Sequence, residues 1–411
     1  MQNSALSDFL KKLALLSSSA ILSQLIILAF TPLVTRLYSP NDFNSLAIYA
    51  PIVLIISSIS AGRYDICIAK IKYNKDALGV LFVCYFFILF SFLITFAFVI
   101  AFYFNPFFFG DFDRSLYLMP VGILFAGFYL ANNSFLVRLG FFNVISKVRI
   151  CQAVACVFIQ VLLGFYSFGT TGLILGLIAN SLCGSVLTLH AIFKCSKLRI
   201  ISKVKLLALA KRNIIYPKAS ILESLSSSIG AQIPILIIAF HGDKRVGLLL
   251  FASRFMAAPV GFVANSISSI FISKANSLNK TQLSAYVKKI QFYLGLVLFP
   301  PFLLLIYFSP GNWELIFGDE WVGVGYIIAI LAPMLYFQMI SVPVSMISHF
   351  VNSQKQLMCF QIFGVILRVF PLIIAIHLNF QYVIELFAFL NVVFYLLFCF
   401  FNYWVSTKNE N

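Results

Sequence analysis

Charge is scarce in this sequence. Only 10% of the 411 residues are charged and 61% are hydrophobic, whereas a soluble domain carries about 25% charged residues. A water-soluble core could not absorb so much apolar surface. We therefore expect an all-α polytopic membrane protein, whose 47 phenylalanines suit lipid-facing helices.

Signals of catalysis, metal binding and cofactor use are missing as well. The eight cysteines form no C-x-x-C pair, His and Cys show no metal-ligand spacing, and the Gly-rich loop that holds ATP phosphates is absent. No Ser/His/Asp constellation is evident. We predict free thiols, no metal, no cofactor and no catalytic residues, so the chain is not expected to be an enzyme. A cleavable signal peptide is not expected either, because the apolar run after Lys12 has no small-residue cleavage site close behind.

The net charge is nevertheless +16, which in a soluble protein would suggest a nucleic-acid partner. No basic run here carries the interleaved aromatic residues of a nucleic-acid platform. Cytoplasmic loops of inner-membrane proteins collect Lys and Arg, and this explanation fits better. We predict no nucleic-acid partner and a location in the bacterial inner (cytoplasmic) membrane.

Apolar runs of membrane-spanning length recur along the chain. A helix needs about 20 apolar residues to cross a hydrocarbon core of ~30 Å. Twelve spans are predicted, roughly 13–34, 46–66, 77–104, 115–138, 149–168, 171–193, 214–240, 246–272, 286–309, 322–349, 357–378 and 381–404.

The basic residues orient these spans. With the N-terminus inside, 22 of the 29 Lys and Arg fall in cytoplasmic segments, 4 fall on the opposite face and 3 lie within spans. Because positively charged loops stay in the cytoplasm, both termini are predicted to be cytoplasmic. An odd number of spans would scramble this pattern, so the bias also favours twelve.

The middle of the chain divides the spans evenly. The longest loop, roughly 194–213, is basic, is too short for a soluble domain, and has six predicted spans on each side. The stretch SPNDFNSLAIYA before span two is echoed by HGDKRVGLLLFAS before span eight. We predict two six-helix bundles, residues 1–205 and 206–411, because such repeats are common in transporters.

Two arginines lie deep in predicted spans. Arg368 is about eleven residues into span eleven, near the midplane, and Arg254 is about eight residues into span eight, roughly 12 Å deep. A charge there costs about 2.5–3.5 kcal/mol and usually faces a cavity or a partner. Both are candidates for a transport path, with a structural ion pair as the alternative.

Other ionisable residues lie nearer the ends of spans. Arg63 and Asp65 are close to the cytoplasmic end of span two, where Arg63 could also simply snorkel. Lys218 and Glu223 open span seven, and Glu385 lies about one turn inside span twelve. The two glutamates are candidates for a proton or cation site, or are carboxylates at the membrane edge. Asp65 is a candidate to hold Arg63 in place.

An enzyme remains the alternative from another class. The segment DFD, Asp111 to Asp113, matches the D-x-D that holds a metal–nucleotide sugar in many glycosyltransferases. Here it falls in a short outer loop without a nucleotide-binding fold around it. An acidic loop is the simpler interpretation.

Five stretches, which extend over about three quarters of the chain, are informative when taken in order. They are TPLVTRLYSPNDFNSLAIY (31–49), GRYDICIAK (62–70), IYPKASILESLSSSI (215–229), VGLLLFASRFMAAPVGFVANSISSIFISKA (246–275) and LIFGDEWVGVGYIIAILAPM (315–334). Together they resemble Wzx-type O-antigen flippases of the multidrug/oligosaccharidyl-lipid/polysaccharide exporter superfamily.

This resemblance implies two bundles around a central cavity and alternating access. The cargo would be an undecaprenyl-diphosphate-linked oligosaccharide, moved from the inner to the outer leaflet. Because guanidinium groups suit phosphate, Arg254 and Arg368 are expected along the head-group path, with Arg63 and Lys218 at its cytoplasmic mouth. Membrane lipid, the lipid-linked substrate, a polysaccharide polymerase and a chain-length regulator are the implied partners.

Rival functions share the fold or the membrane. A cation- or proton-coupled small-molecule antiporter of the same superfamily would use an acid such as Glu223 or Glu385. A lipid II flippase usually has fourteen spans. A membrane polymerase or glycosyltransferase is the rival with catalytic chemistry.

Overall fold

The computed structural model describes residues 2–68, 71, 73–104, 114–195, 203–275, 280–309, 311, 313–351 and 353–407. Side chains are described from residue 18 onward, with gaps that include Lys218. The predicted D-x-D segment lies outside the described residues.

The described chain is helical between short turns. The helices are α1 Gln2–Leu37, α2 Pro40–Ser60, α3 Tyr64–Ile68, α4 Asn74–Phe104, α5 Met119–Leu139, α6 Phe142–Phe165, α7 Thr170–Cys195, α8 Lys203–Arg212, α9 Ile215–His241, α10 Val246–Ala275, α11 Lys280–Phe308, α12 Glu314–Phe317, α13 Val324–Ser341, α14 Ile347–Phe350, α15 Gln354–His377 and α16 Val383–Thr407.

Eleven of these helices are long and apolar enough to cross a membrane in the described part of the chain, namely α1, α2, α4, α5, α6, α7, α9, α11, α13, α15 and α16. Helix α10 contributes a shorter apolar stretch, Val246–Gly261. The all-helical, multi-pass architecture is thus confirmed, while the count of twelve and the sides of the termini stay predictions.

The chain forms two compact units, Met1–Gln232 and Ile233–Asn411. The boundary between the units falls within α9. The predicted division into six spans on each side of residues 205 and 206 stays a prediction.

Lipid-facing surface is evident on single helices. On α4, Phe86 is 66% exposed and Leu93 and Phe98 are each 60% exposed. A water-soluble protein would bury most apolar side chains of this size, but hydrocarbon is as apolar as these side chains. The exposed apolar faces therefore fit a bilayer around the helices.

The start of α2 is fixed by a capping box. The Asp42 carboxylate accepts from the Ser39 backbone N–H at 2.9 Å, while the Ser39 hydroxyl accepts from the Asp42 N–H at 3.4 Å. Pro40 occupies the first turn, where a missing N–H costs nothing. Thr170 at the start of α7 donates to the same carboxylate at 3.3 Å. The motif SPND thus starts one helix and ties it to another.

The core of the first unit lies where short and long helices meet. Tyr64 and Ile68 of α3 pack with Leu81 of α4, Phe135 of α5 and Leu209 of α8, all of them buried. The short helices α3 and α8 are therefore part of the packed unit, and their positions depend on this core.

The core of the second unit is built around α13, which contacts α10, α11 and α16. Aromatic rings pack together just before the start of α13. The centroid of the Phe251 ring, on α10, lies 4.4 Å from that of Trp321 and 5.0 Å from that of Phe317. Two of the stretches that carried the resemblance, 246–275 and 315–334, therefore pack against each other.

Gly325 allows the closest backbone approach in this region. A Cβ at this position would lie 1.9 Å from the Ser309 carbonyl oxygen and 2.8 Å from the Trp313 ring. Because the nearer atom belongs to the backbone, it cannot move aside cheaply. Only glycine fits between α11 and α13 at this point.

We predict that Gly325→Ala destabilises the protein by about 1–3 kcal/mol through overpacking. The melting temperature of the detergent-solubilised protein should fall, as measured by fluorescence-detected size exclusion after heating. Gly261→Ala is the matched control, because no described atom lies within 4 Å of its added Cβ. Equal melting temperatures for the two variants would contradict the close approach.

Candidate functional site

Arg63 and Asp65 lie in a break between helices. Helix α2 ends at Ser60. Two consecutive residues of the turn that follows, Gly62 and Arg63, have φ of 60° and 56°. Positive φ at consecutive residues is incompatible with a continuing α-helix. The predicted span 46–66 was therefore wrong at its end, because the chain leaves the helix before Arg63.

The turn is anchored on both sides by the core of the first unit. The Tyr64 ring stacks on Phe87 at 5.5 Å, and the Tyr64 hydroxyl donates to the Ala210 carbonyl at 3.2 Å. The Arg138 guanidinium donates to the Ile68 carbonyl at 3.1 Å, which satisfies the end of α3. The backbone around Arg63 is therefore held in place by its neighbours.

The Arg63 guanidinium is incompletely paired. Its Nη1 lies 3.9 Å from the Asp65 carboxylate and donates to the Ser58 carbonyl at 3.4 Å. Its Nε is buried without a hydrogen-bond partner among the described residues, and so is Asp65 Oδ1. A buried donor without a partner costs about 1–3 kcal/mol. An anionic group arriving at this turn would therefore gain a donor that is already in place.

Burial controls the charge of Asp65. The residue is only 4% exposed, and this burial raises the pKa of its carboxyl, an effect that the nearby Arg63 guanidinium offsets only in part. The backbone N–H groups of Asp65 and Ile66 also lower the pKa. The balance favours the protonated acid more than in water.

Helix α9 reaches the same end of the first unit. The Ser228 hydroxyl donates to the Ser58 hydroxyl at 3.3 Å, and Ser58 is also the residue whose carbonyl receives Arg63. Glu223, further toward the start of α9, is exposed. The side chain of Lys218 lies outside the description. The structure thus brings α9 close to the Arg63 turn.

Arg368 is packed inside the second unit. Its side chain is 3% exposed in α15, its Nε donates to the Gly364 carbonyl at 2.8 Å, and its guanidinium carbon lies 3.9 Å from the centre of the Phe394 ring. No ion pair among the described residues includes it. The stack supplies a cation–π interaction, worth about 2 kcal/mol or more when desolvated.

Gly364 makes the stack possible. A Cβ on Gly364 would lie 2.2 Å from the Phe394 ring. Because this glycine has no side chain, the Phe394 ring of α16 can approach α15 and lie beneath Arg368. The predicted charge deep in span eleven therefore has an aromatic partner in place of a carboxylate.

Arg254 is half-buried in α10, eight residues after Val246. Helix α10 continues through Pro259, which cannot donate a backbone hydrogen bond. The neighbouring Phe255 ring lies 5.3 Å from Phe317 and 6.0 Å from Trp313. The aromatic cluster therefore fixes the part of α10 that carries this arginine.

Glu385 is paired with a residue that the sequence did not single out. Arg245, in the turn before α10, donates to the Glu385 carboxylate at 3.2 Å and to Asp243 at 3.0 Å. These partners, Asp243 first, raise the pKa of Arg245. The Tyr326 hydroxyl adds a contact to Glu385 at 3.4 Å. Glu385 thus holds α16 to the turn between α9 and α10.

The described residues contain no group of three or more His, Cys, Asp or Glu that could hold a metal ion. The described candidate residues do not form a single cluster. Arg63 and Asp65 lie at one end of the first unit, Arg254 and Arg368 lie on two helices of the second, and Glu385 lies at an end of α16.

Solved structures share this fold over nearly the whole chain. An inward-facing multidrug resistance MATE family transporter of the MOP superfamily matches with a TM-score of 0.71 at 14% identity, covering 96% of both chains. The lipid II flippase MurJ, in an inward closed conformation, matches with 0.71 at 17% identity, covering 96% of this chain and 90% of that one. A MATE structure in the bent conformation matches with 0.60 at 12% identity, covering 96% and 94%. The protein is therefore a multi-pass membrane protein with the fold of these transporters.

A comparison of the sequence with protein families identifies the family of the chain. Residues 33–326 match a family described as polysaccharide biosynthesis protein. That range is more than half of the chain, so the chain belongs to this family. No curated protein matches the sequence. The predicted resemblance to the polysaccharide exporters of the superfamily is confirmed.

The raised pKa of Asp65 gives a pH-dependent prediction. As pH rises past about 3.9, the carboxyl in the unfolded chain loses its proton first, so stability falls until the folded pKa is passed. Asp65→Asn should remove this loss. The melting temperature of the variant minus that of the wild type should therefore be more positive near about pH 7.5 than near about pH 4.

Asp76→Asn serves as the control. Asp76 pairs with Lys205 at 2.9 Å, but the side chains are 21% and 49% exposed, and such surface pairs contribute little. A difference that is more negative near about pH 7.5 than near about pH 4 would show that attraction to Arg63 outweighs burial.

Proposed function

We propose that the chain is a flippase for undecaprenyl-diphosphate-linked oligosaccharide repeat units, of O-antigen or a related polysaccharide. It would move them from the inner to the outer leaflet of the bacterial inner membrane by alternating access between two six-helix bundles, with both termini cytoplasmic. The observation that carries the proposal is that a member of a polysaccharide biosynthesis family has the fold of exporters and flippases.

The chemistry of the cargo supports a transport path that is lined by cationic residues. The lipid tail can stay in the bilayer, so only the diphosphate and the sugars need a hydrated route. Guanidinium groups form forked, charge-assisted hydrogen bonds with phosphate oxygens. Arg63, whose buried Nε has no hydrogen-bond partner in the described part of the chain, would receive the head group at the cytoplasmic mouth together with Lys218. Arg254 and Arg368 would lie further along.

Arg368 would act by exchange of partners. In the described structure its guanidinium lies on Phe394, a contact that a diphosphate could replace. The cost of desolvating the diphosphate would be offset by charge-assisted bonds of about 1.5–3 kcal/mol each. A polysaccharide polymerase and a chain-length regulator would use the delivered repeat units.

A proton-coupled small-molecule antiporter is the second candidate function. The buried Asp65, whose carboxyl favours the proton, is the observation that favours it. Glu385 is engaged with Arg245, and the deeper charges are arginines, which suit anionic cargo better than cationic drugs. The flippase is therefore the better supported function.

Complementation in the host tests the flippase directly. After deletion of the gene, complete lipid-linked repeat units should accumulate on the inner leaflet, and the wild-type gene should clear them. Arg254→Ala and Arg368→Ala, at normal abundance, should clear them about tenfold to a hundredfold more slowly, because each loses a charge-assisted bond of about 1.5–3 kcal/mol. Arg212→Ala, at an exposed end of α8, is the matched control.

The same strains test the enzymatic alternative. The double variant Asp111→Ala/Asp113→Ala should clear repeat units like the wild type. If repeat units are never completed in the deletion strain, the chain is an assembly enzyme. If they reach the outer leaflet but stay unpolymerised, it belongs to the polymerase class.

A further inference from the structure

A groove of about 700 Å³ opens between α11 and α16 of the second unit. Lys288 and Lys289 lie along it on α11, and Phe400 and Tyr403 lie along it on α16. Gln291 donates from its side-chain amide to the Cys399 carbonyl at 3.1 Å, which joins the two helices. The hydrogen bond therefore fixes the two helices that form the walls of the groove.

The sequence that follows the two lysines predicts that they lie at the level of lipid head groups. The segment from 290 to 308 that follows them is nearly all apolar, and at 1.5 Å per residue it is about 28 Å long. That length matches the hydrocarbon core of a bilayer. Tyr403 and Trp404 near the end of α16 are residue types that favour the same interface. The charge distribution predicts that this interface is the cytoplasmic one.

The walls of the groove suit acyl chains. Phe292 is 66% exposed and Phe400 is 63% exposed. Phe292 follows Lys289 by about one turn of α11, toward the apolar segment, and Phe400 precedes Tyr403 by about one turn of α16. An apolar tail that entered the groove would cover these rings.

The rim of the groove has one sign of charge. Lys288 and Lys289 are both exposed, and the Lys289 ammonium lies 5.8 Å from the centre of the Tyr293 ring. The described lining contains no carboxylate. A free anion would leave the apolar walls unused, and a zwitterionic lipid would carry its own cation to the lysines. The lining therefore matches a molecule with an anionic head and apolar tails.

We propose that this groove binds one anionic phospholipid of the cytoplasmic leaflet, with its phosphate at Lys288 and Lys289 and an acyl chain along Phe292 and Phe400. Basic pockets between helices on the cytoplasmic side bind anionic head groups in this way. The groove would hold such a lipid whatever head group the protein transports.

Native mass spectrometry of the full-length protein in neutral detergent tests the site. Phosphatidylglycerol and phosphatidylcholine of the same chain length are titrated separately, and bound lipid is counted. The wild type should bind the first phosphatidylglycerol about tenfold more tightly than phosphatidylcholine, and Lys288→Gln/Lys289→Gln should lose that preference. The matched control, Lys194→Gln/Lys355→Gln, loses the same charge at exposed positions outside the groove and should keep it.

Three outcomes would overturn the proposal. The first is an equal preference for phosphatidylglycerol in both double variants at unchanged melting temperature. The second is displacement of phosphatidylglycerol by water-soluble glycerol phosphate, which would make the groove a site for phosphate alone. The third is displacement by a polyisoprenyl diphosphate at a lower concentration than phosphatidylglycerol itself requires, which would assign the groove to the transported lipid.

Discussion

A charge in hydrocarbon costs about 2.5–3.5 kcal/mol, and this cost explains where the ionisable residues of the protein lie. Arg368 is stacked on Phe394 and bonded to its own helix. Glu385 is paired with Arg245 at an end of α16. Arg63 lies in a turn after α2 has ended. The same cost applies to backbone amides, which is why the described chain satisfies them within helices.

Arg63 in the first unit and Arg368 in the second unit have different surroundings. Arg63 is held by a rigid turn but keeps a buried donor without a described partner, so it could accept an anion without giving up a strong contact. Arg368 is fully packed, and an anion would have to take the place of its aromatic partner. In the alternating-access cycle that we propose, Arg63 would receive the head group, and Arg368 would bind it only when its own unit rearranges.

Hydropathy predicted where most of the long helices lie, because the membrane imposes both their length and their apolar composition. The predicted span 13–34 nevertheless missed the first eleven residues of α1, and the predicted span 322–349 ran past the end of α13 at Ser341. Hydropathy could not predict the end of α2, since a single glycine such as Gly62 is tolerated within a helix and the positive φ of Arg63 depends on the packing of Tyr64. The charge in span eleven was visible in the sequence, but its contact with Phe394 depends on the approach of α16 at Gly364. Likewise, Arg245 and Glu385 meet across 140 residues, and only the tertiary fold brings them together.

The central claim is that this chain by itself moves a lipid-linked head group across a bilayer. Purified protein reconstituted into vesicles with a fluorescent polyisoprenyl-diphosphate oligosaccharide tests it, because a membrane-impermeant quencher reaches only the outer leaflet. In vesicles with protein, we predict that the quenched fraction of the fluorescence exceeds the fraction of the labelled lipid that starts in the outer leaflet. In vesicles without protein, the two fractions should stay equal. If both kinds of vesicle lose the same share of fluorescence while the reconstituted protein remains folded, the chain is not a flippase for this cargo.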